Sequence, residues 1–423
     1  MIVQPWPGVP SRVPDDMRFT RDSVQLIVAI ALVNACLFLV IANRTGRLVE
    51  NGGRGWDGAA YLDMLRDRVV GQASNERLRP LVVLLNRPLY WLSDRSMDGA
   101  IDAFASMNVV YIAWLSVAAV LLASAYGASL AARQFVGVNL ALCVATSKYF
   151  AYYPTLVDLG AYAVIMTAMY AVVRRRPLAA PVLAVMAALS REFGLMVAIF
   201  GFHRETRLSG RPLRAIAMYG PAVAAAVALR YVVSRYPGFG LLTPSNFADN
   251  LQLWNDEEFV AFFFYFCATV FGGISLLVVS RPGQCARFLR SEPEWITFAA
   301  PILAIAAVGS SDLWRYLAYV LPVAIVLVAA CDREWTNGRR AWIFSIGTIA
   351  TVLTQRPFER IDSATYFTHW FPYYVIPSAQ PDDLERLWLY WGRMMMVSAA
   401  AIWLMAAPET PRRLERVESM KAT

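Results

Sequence analysis

Between Gly53 and Pro80 the chain reads GRGWDGAAYLDMLRDRVVGQASNERLRP, and the residue types in this stretch could do chemistry. Trp56-Asp57-Gly58 sets a carboxylate between a large ring and a residue with no side chain. Such a carboxylate can take a proton from a hydroxyl, as a general base does. It can equally cap the helix expected over AAYLDMLRDRV. Both roles stay open on the residues alone. The stretch closes with Glu76, Arg77, Arg79 and Pro80. A guanidinium such as Arg79 can hold a phosphate through paired hydrogen bonds.

Three further places carry charge where the surroundings are apolar. Asp158 lies in YYPTLVDLGAYAV, just inside the end of an apolar span. Ser190-Arg191-Glu192 interrupts the apolar segment 178–202. Asp312, Arg315 and Tyr316 stand in GSSDLWRYLAYVLP, at the mouth of another span. Charges at such positions are costly in a bilayer and mark candidate sites. Plainer roles exist for each: a helix cap at Asp158, a simple ion pair for Arg191 and Glu192, an interfacial anchor at Arg315. The segment TYFTHWFPYY adds His369 and Trp370 in a dense aromatic run that also suits a membrane-interface belt.

The elements that must position these residues are membrane helices. Of the 423 residues 58% are hydrophobic and 17% charged, and apolar runs near 20 residues recur. That combination predicts an all-α, polytopic transmembrane bundle of about 11–12 membrane segments. Spans are expected near 24–42, 106–126, 134–151, 157–173, 213–233, 259–279, 295–308, 316–331, 341–354 and 387–406. Residues 178–202 are expected to form two short helices that meet at Ser-Arg-Glu. The first span is longer than a signal-peptide core and is expected to be retained. One transmembrane domain is expected over 1–407, with outer loops at 44–105, 234–258 and 355–386 and a basic cytoplasmic tail at 408–423. Within the first loop, LRPLVVLLNRPLYWL has two internal prolines and Arg87, and is expected to lie in the interface.

Charge sets the orientation. With the N-terminus inside, eighteen basic residues fall in short inner connections and six in the later outer ones. This works only if 178–202 enters and returns on one side. Asp57, Arg79, Asp158, Arg191, Glu192, Asp312 and Arg315 then share the outer face. The net charge of +8 is thereby explained without nucleic acid. Of 39 basic residues only Lys148 and Lys421 are lysine, a bias typical of GC-rich genomes, so the expected location is a bacterial inner membrane with a periplasmic site.

Asp57 in Trp56-Asp57-Gly58-x-x-Tyr61, the later Arg77-x-Arg79-Pro80, the Leu-Ser190-Arg191-Glu192 break and Arg315-Tyr316…Pro322 together resemble the GT-C superfamily of integral membrane glycosyltransferases. The resemblance covers most of the chain in layout and rests on short motifs. It implies a polyprenyl-phosphate sugar donor and a glycan, lipid or protein acceptor from the cell envelope. It implies inverting transfer on the outer face, with Asp57 as base. Arg79, Asp158, Arg191, Glu192, Asp312, Arg315 and Tyr316 would then bind substrate and phosphate, and His369 and Trp370 the acceptor. Many members carry a paired acidic motif, whereas Asp57 stands alone, so a divalent metal is left open and no other cofactor is implied. No large soluble C-terminal domain is visible, which argues against an oligosaccharyltransferase.

Several classes are excluded. The chain has no phosphate-binding Gly-rich loop with Lys, no HExxH and no dinucleotide fingerprint. The five cysteines show no metal-ligand spacing. Three alternatives remain: a lipid or solute transporter or flippase, a polysaccharide polymerase or ligase of another membrane family, and a non-catalytic helper of an envelope complex. Against the transporter stand the absence of an internal repeat and of an expected charge cluster on the inner face.

Overall fold

A computed structural model describes residues 21–55, 57–66, 75–235, 251–255, 260, 263–264, 267–309, 313–360 and 381–407. The elements in order are α1 (Arg21–Arg44), a turn α2 (Glu50–Gly53), α3 (Asp57–Leu65), α4 (Pro80–Leu92), α5 (Met97–Ala125), α6 (Leu130–Leu142) and α7 (Lys148–Tyr152). There follow α8 (Asp158–Val173), α9 (Ala179–Ser190), α10 (Leu195–Ser209) and α11 (Pro212–Ser234). The last group is α12 (Gly273–Ser280), α13 (Pro282–Ser291), α14 (Glu294–Gly309), α15 (Leu313–Leu317), α16 (Leu321–Asp332), α17 (Asn337–Gln355) and α18 (Pro381–Ala406). No strand occurs among the described residues, so the fold is all-α as the composition requires.

Among the described residues, four helical stretches are long and apolar enough to cross a membrane: Ser23–Arg44, Met97–Ala125, Pro212–Ser234 and Arg315–Asp332. Five shorter apolar helices accompany them. The chain is an integral membrane protein. Apolar side chains that would be costly in water, such as Val28, Leu32 and Val227, stand exposed on α1 and α11. At the centre, α8 buries apolar residues all round, from Leu159 to Val173, and packs against α5 and α9.

The break at Ser-Arg-Glu is real. Arg191 leaves the helix in extended backbone, with φ −164° and ψ 153°, between α9 and α10. The two helices form a hairpin, because Arg175 just before α9 lies 3.5 Å from Glu205 near the end of α10. Gly194 permits the tight return. A Cβ there would overlap the Ala187 carbonyl.

Two expected spans need correction. The helix expected at 106–126 starts at Met97, because the Ser96 hydroxyl accepts the Gly99 amide and caps it there. The first loop therefore ends near residue 96, and not at 105. The span expected at 134–151 is broken into α6 and α7. Ser147 and Thr146 hydroxyls donate to carbonyls of the preceding turn, and the Val144 amide finds the side chain of Gln355. Local hydroxyls and a distant amide thus satisfy the backbone that a continuous helix would have used. Of the span near 259–279, only part lies within the described residues, including α12. Helix α4 covers most of the segment LRPLVVLLNRPLYWL. One face buries Val82, Val83, Asn86 and Tyr90, while Trp91 and Leu92 are exposed.

Candidate functional site

Six charged side chains meet where the starts of α3, α4 and α8, the α9–α10 break and α15 come together. Asp57 is the first residue of α3, and its Oδ2 lies 3.3 Å from Arg315 Nη2. It does not hold the first amide of its own helix. The Gly58 amide donates instead to the Tyr153 hydroxyl at 3.1 Å. Gly58 must be glycine for that approach, since a Cβ would collide with Thr155.

Asp158 is the hub. It is completely buried at the start of α8. Arg191 Nη1 reaches its two oxygens at 3.3 and 3.4 Å, Arg315 Nε lies 3.9 Å away, and the Tyr319 hydroxyl donates at 2.7 Å. A bare carboxylate at this depth would be prohibitive, and two guanidinium groups and a hydroxyl offset the cost.

Arg79, in the connection before α4, donates through Nε to both oxygens of Glu192 at 3.1 Å and through Nη1 to the Tyr61 hydroxyl at 2.5 Å. Burial works to raise the Glu192 carboxyl. Arg79 and Arg191 outweigh it and hold the group below the usual carboxylate range. Burial pushes the Tyr61 hydroxyl upwards against the pull of Arg79, so it stays protonated. Tyr316 packs edge-on against Phe193 at 5.2 Å and lies beside the Arg315 guanidinium.

The cluster is uneven in its access to the outside. Asp158 and Arg191 are sealed, whereas the Asp57 and Glu192 side chains are 31% and 38% exposed. Arg191 Nη2 is buried with no hydrogen-bond partner among the described residues.

The structure thus brings together Asp57, Arg79, Asp158, Arg191, Glu192, Arg315 and Tyr316 from distant parts of the chain. Asp312, His369 and Trp370 lie outside the described residues. Tyr153 was not singled out from the sequence, nor was Tyr319, and the motif that contains Tyr61 did not show that its hydroxyl meets Arg79. The last two follow Arg315 and Asp57 by four positions, the spacing that places two side chains on one helical face. Among the described residues no three His, Cys, Asp or Glu side chains are grouped to hold a metal ion. Each carboxylate of the cluster is turned to an arginine.

No protein-family model and no curated relative matches the sequence. Among solved structures, the oligosaccharyltransferase of Archaeoglobus fulgidus in complex with zinc and sulfate is 14% identical, with a TM-score of 0.49 over 86% of this chain and 56% of that one. The archaeal oligosaccharyltransferase AglB from the same organism, in complex with an inhibitory peptide and a dolichol-phosphate, is 10% identical with a TM-score of 0.48, over 96% of this chain and 59% of that one. The chain spans little more than half the length of these structures. Likenesses at such scores carry no argument about this chain's chemistry.

Proposed function

We propose that this chain is a membrane glycosyltransferase of GT-C type, moving a sugar from a polyprenyl-phosphate donor to an envelope glycan, lipid or protein acceptor. The observation that supports the reading is the partly exposed Asp57 carboxylate set against Arg315, in a cluster where three guanidinium groups meet. In the proposed reaction an acceptor hydroxyl attacks the anomeric carbon from the face opposite the phosphate. Its oxygen bonds to that carbon as the carbon–phosphate oxygen bond breaks, and the anomeric centre inverts. Asp57 takes the hydroxyl proton. Polyprenyl phosphate leaves with the electron pair, and Arg79, Arg191 and Arg315 hold its growing charge. Asp158 keeps Arg191 and Arg315 in place. No step is routed through a metal.

In this reading the cluster faces the periplasm of a bacterial inner membrane, with both termini in the cytoplasm. Positive charge concentrated at the opposite ends of the helices supports that orientation. Cysteine labelling from outside should then reach Trp370→Cys and spare Leu208→Cys in a background free of native cysteines.

The decisive assay reconstitutes the protein with a polyprenyl-phosphate-linked radiolabelled sugar and membrane-derived acceptors. Cleavage of the donor with sugar appearing on an acceptor is the expected result. Movement of intact donor across the bilayer, with no cleavage, would replace this reading by a transporter.

A further inference from the structure

Two of the five cysteines, far apart in the chain, meet in the fold. Cys285 lies near the start of α13 and Cys331 in the last turn of α16, and their Sγ atoms are 3.9 Å apart. Both are buried. The residues around them hold the two helices in register. Arg287 reaches Glu334 at 3.2 Å, and Gln284 donates to the same carboxylate. The Arg281 guanidinium lies over the Trp335 ring. These links join α13 to the turn that follows α16, so they bracket the thiol contact. The Arg287 and Glu334 side chains are 55% and 35% exposed, so the bracket opens to solvent while the thiols sit beneath it.

A disulfide places its sulfurs at about 2.05 Å, so each sulfur has only ~1 Å to advance from its place in the fold. Cys285 belongs to none of the four membrane-crossing stretches. A hydrogen bond from the Cys331 thiol holds the Cys285 thiol below its usual value. That favours the Cys285 thiolate, the form that attacks an oxidant.

We infer that Cys285 and Cys331 form an oxidisable dithiol, which a peroxide closes into a disulfide between α13 and α16. The Cys285 thiolate attacks one oxygen of hydrogen peroxide. The O–O bond breaks, the sulfur becomes a sulfenic acid, and the departing hydroxide takes up the proton shed by Cys285 to form water. The Cys331 sulfur then attacks the Cys285 sulfur. The S–S bond forms as the S–O bond breaks, and the hydroxyl leaves with the Cys331 proton as a second water. Two thiols are oxidised and one peroxide is reduced. The bond ties down the end of α16 that lies away from Arg315. In the proposed orientation this end of the bundle faces the cytoplasm, where thiol reductants reopen such a bond and make the modification reversible. No residue is shared with the Asp57 cluster, and the test needs no sugar transfer.

The full-length protein in nanodiscs is treated with hydrogen peroxide, its remaining thiols are alkylated in denaturant, and the digest is mapped by mass spectrometry. The expected product is a cross-linked peptide joining Cys285 to Cys331 in a monomeric chain. Alkylation should be lost at both positions together and restored by dithiothreitol. Two free thiols at a dose that oxidises glutathione in the same tube would overturn the inference. So would a bond from Cys285 to any other cysteine, or a sulfinic acid at Cys285 beside a free Cys331. Cys331→Ser should stop the reaction at the Cys285 sulfenic acid, which dimedone labels. Labelling of Cys285 no higher in this variant than in the parent would overturn Cys331 as the thiol that closes the bond. If the variant fails to fold, the peptide map of the parent carries the test alone.

Discussion

Two buried charge clusters sit at opposite ends of α8 and α10, and they are built differently. At the far end from Asp57, Arg204 Nη1 bonds to Glu292 and, at 2.5 Å, to Glu294, while Arg207 Nη2 reaches Glu294 at 2.7 Å. Those residues come from α10 and the short turn into α14. Both carboxylates are closed off: the Glu292 and Glu294 side chains are 8% and 0% exposed. At the Asp57 end the ion pairs are longer, the partners come from five segments, and two carboxylates open outwards. The first arrangement fastens α10 to α14. The second leaves the Asp57 and Glu192 carboxylates partly open to the outside, as the proposed transfer would need of a base. The sequence reading expected no charge cluster opposite the candidate site, and the Arg204 group corrects it. Its closed carboxylates offer nothing to a transported solute, so its presence does not favour the transporter.

The largest effect expected from breaking this contrast is at Asp57. Asp57→Asn keeps the size of the side chain but cannot accept the proton, so turnover should fall roughly 10²–10⁴-fold while the protein purifies folded. Sugar transfer and a melting curve measured on the same preparation check it. Full activity in that variant would move the base to Glu192, the other exposed carboxylate. The matching change at the closed cluster is Arg204→Met. It leaves Arg207 alone to pair with Glu292 and Glu294, at a cost of about 1–3 kcal/mol. The expected result is a lower melting temperature with unchanged turnover per folded molecule. A fall in turnover without a fall in stability would erase the distinction between the clusters.

Arg79→Lys, Arg191→Lys and Arg315→Lys sharpen the comparison at smaller scale. Lysine keeps the charge and loses the planar fork. Each variant should lose about tenfold in transfer, on the order of one charge-assisted hydrogen bond, with donor affinity measured alongside. If all three turn over donor like the parent, the phosphate lies elsewhere.

The smallest effect is in the pH dependence of stability. The Glu192 carboxyl is held low in the fold, so its pairing stabilises the protein at neutral pH and is lost as pH falls through the lowered value. Its exposure limits the contribution to about 0.2–1 kcal/mol. Between pH ~6 and pH ~3, the parent should therefore lose slightly more melting temperature than Glu192→Gln. Equal losses would mean that Arg79 contributes nothing through this pair.

Much of the site was legible in the chain because polar residues in apolar surroundings are conspicuous. Asp158, Arg191 and Arg315 stand out against their spans, and all three converge. The Tyr153 contact was not legible. Nothing in YYPT says that one of these rings turns to the Gly58 amide, because the two positions are 95 residues apart and meet only through packing. The break at 143–147 was hidden for the same reason. Its sequence is apolar enough for a span, and the Val144 amide finds its partner in Gln355 of α17, 211 residues away.

By itself, the sequence determined the helical class, the membrane habit and the hairpin at Ser190-Arg191-Glu192. Each follows from transfer free energies summed over a local window, where burying charge is costly and burying apolar side chains is favourable. Tertiary structure alone decided which acid is sealed and which is open. Asp57 and Asp158 look alike in the sequence, each an aspartate beside apolar residues at a helix start. Packing of Tyr319, Arg191 and Arg315 around Asp158 makes it a hub, while Asp57 meets one guanidinium among the described residues, that of Arg315, and keeps one side open. Exposure is set by residues that distant parts of the chain bring together, and no local window contains them.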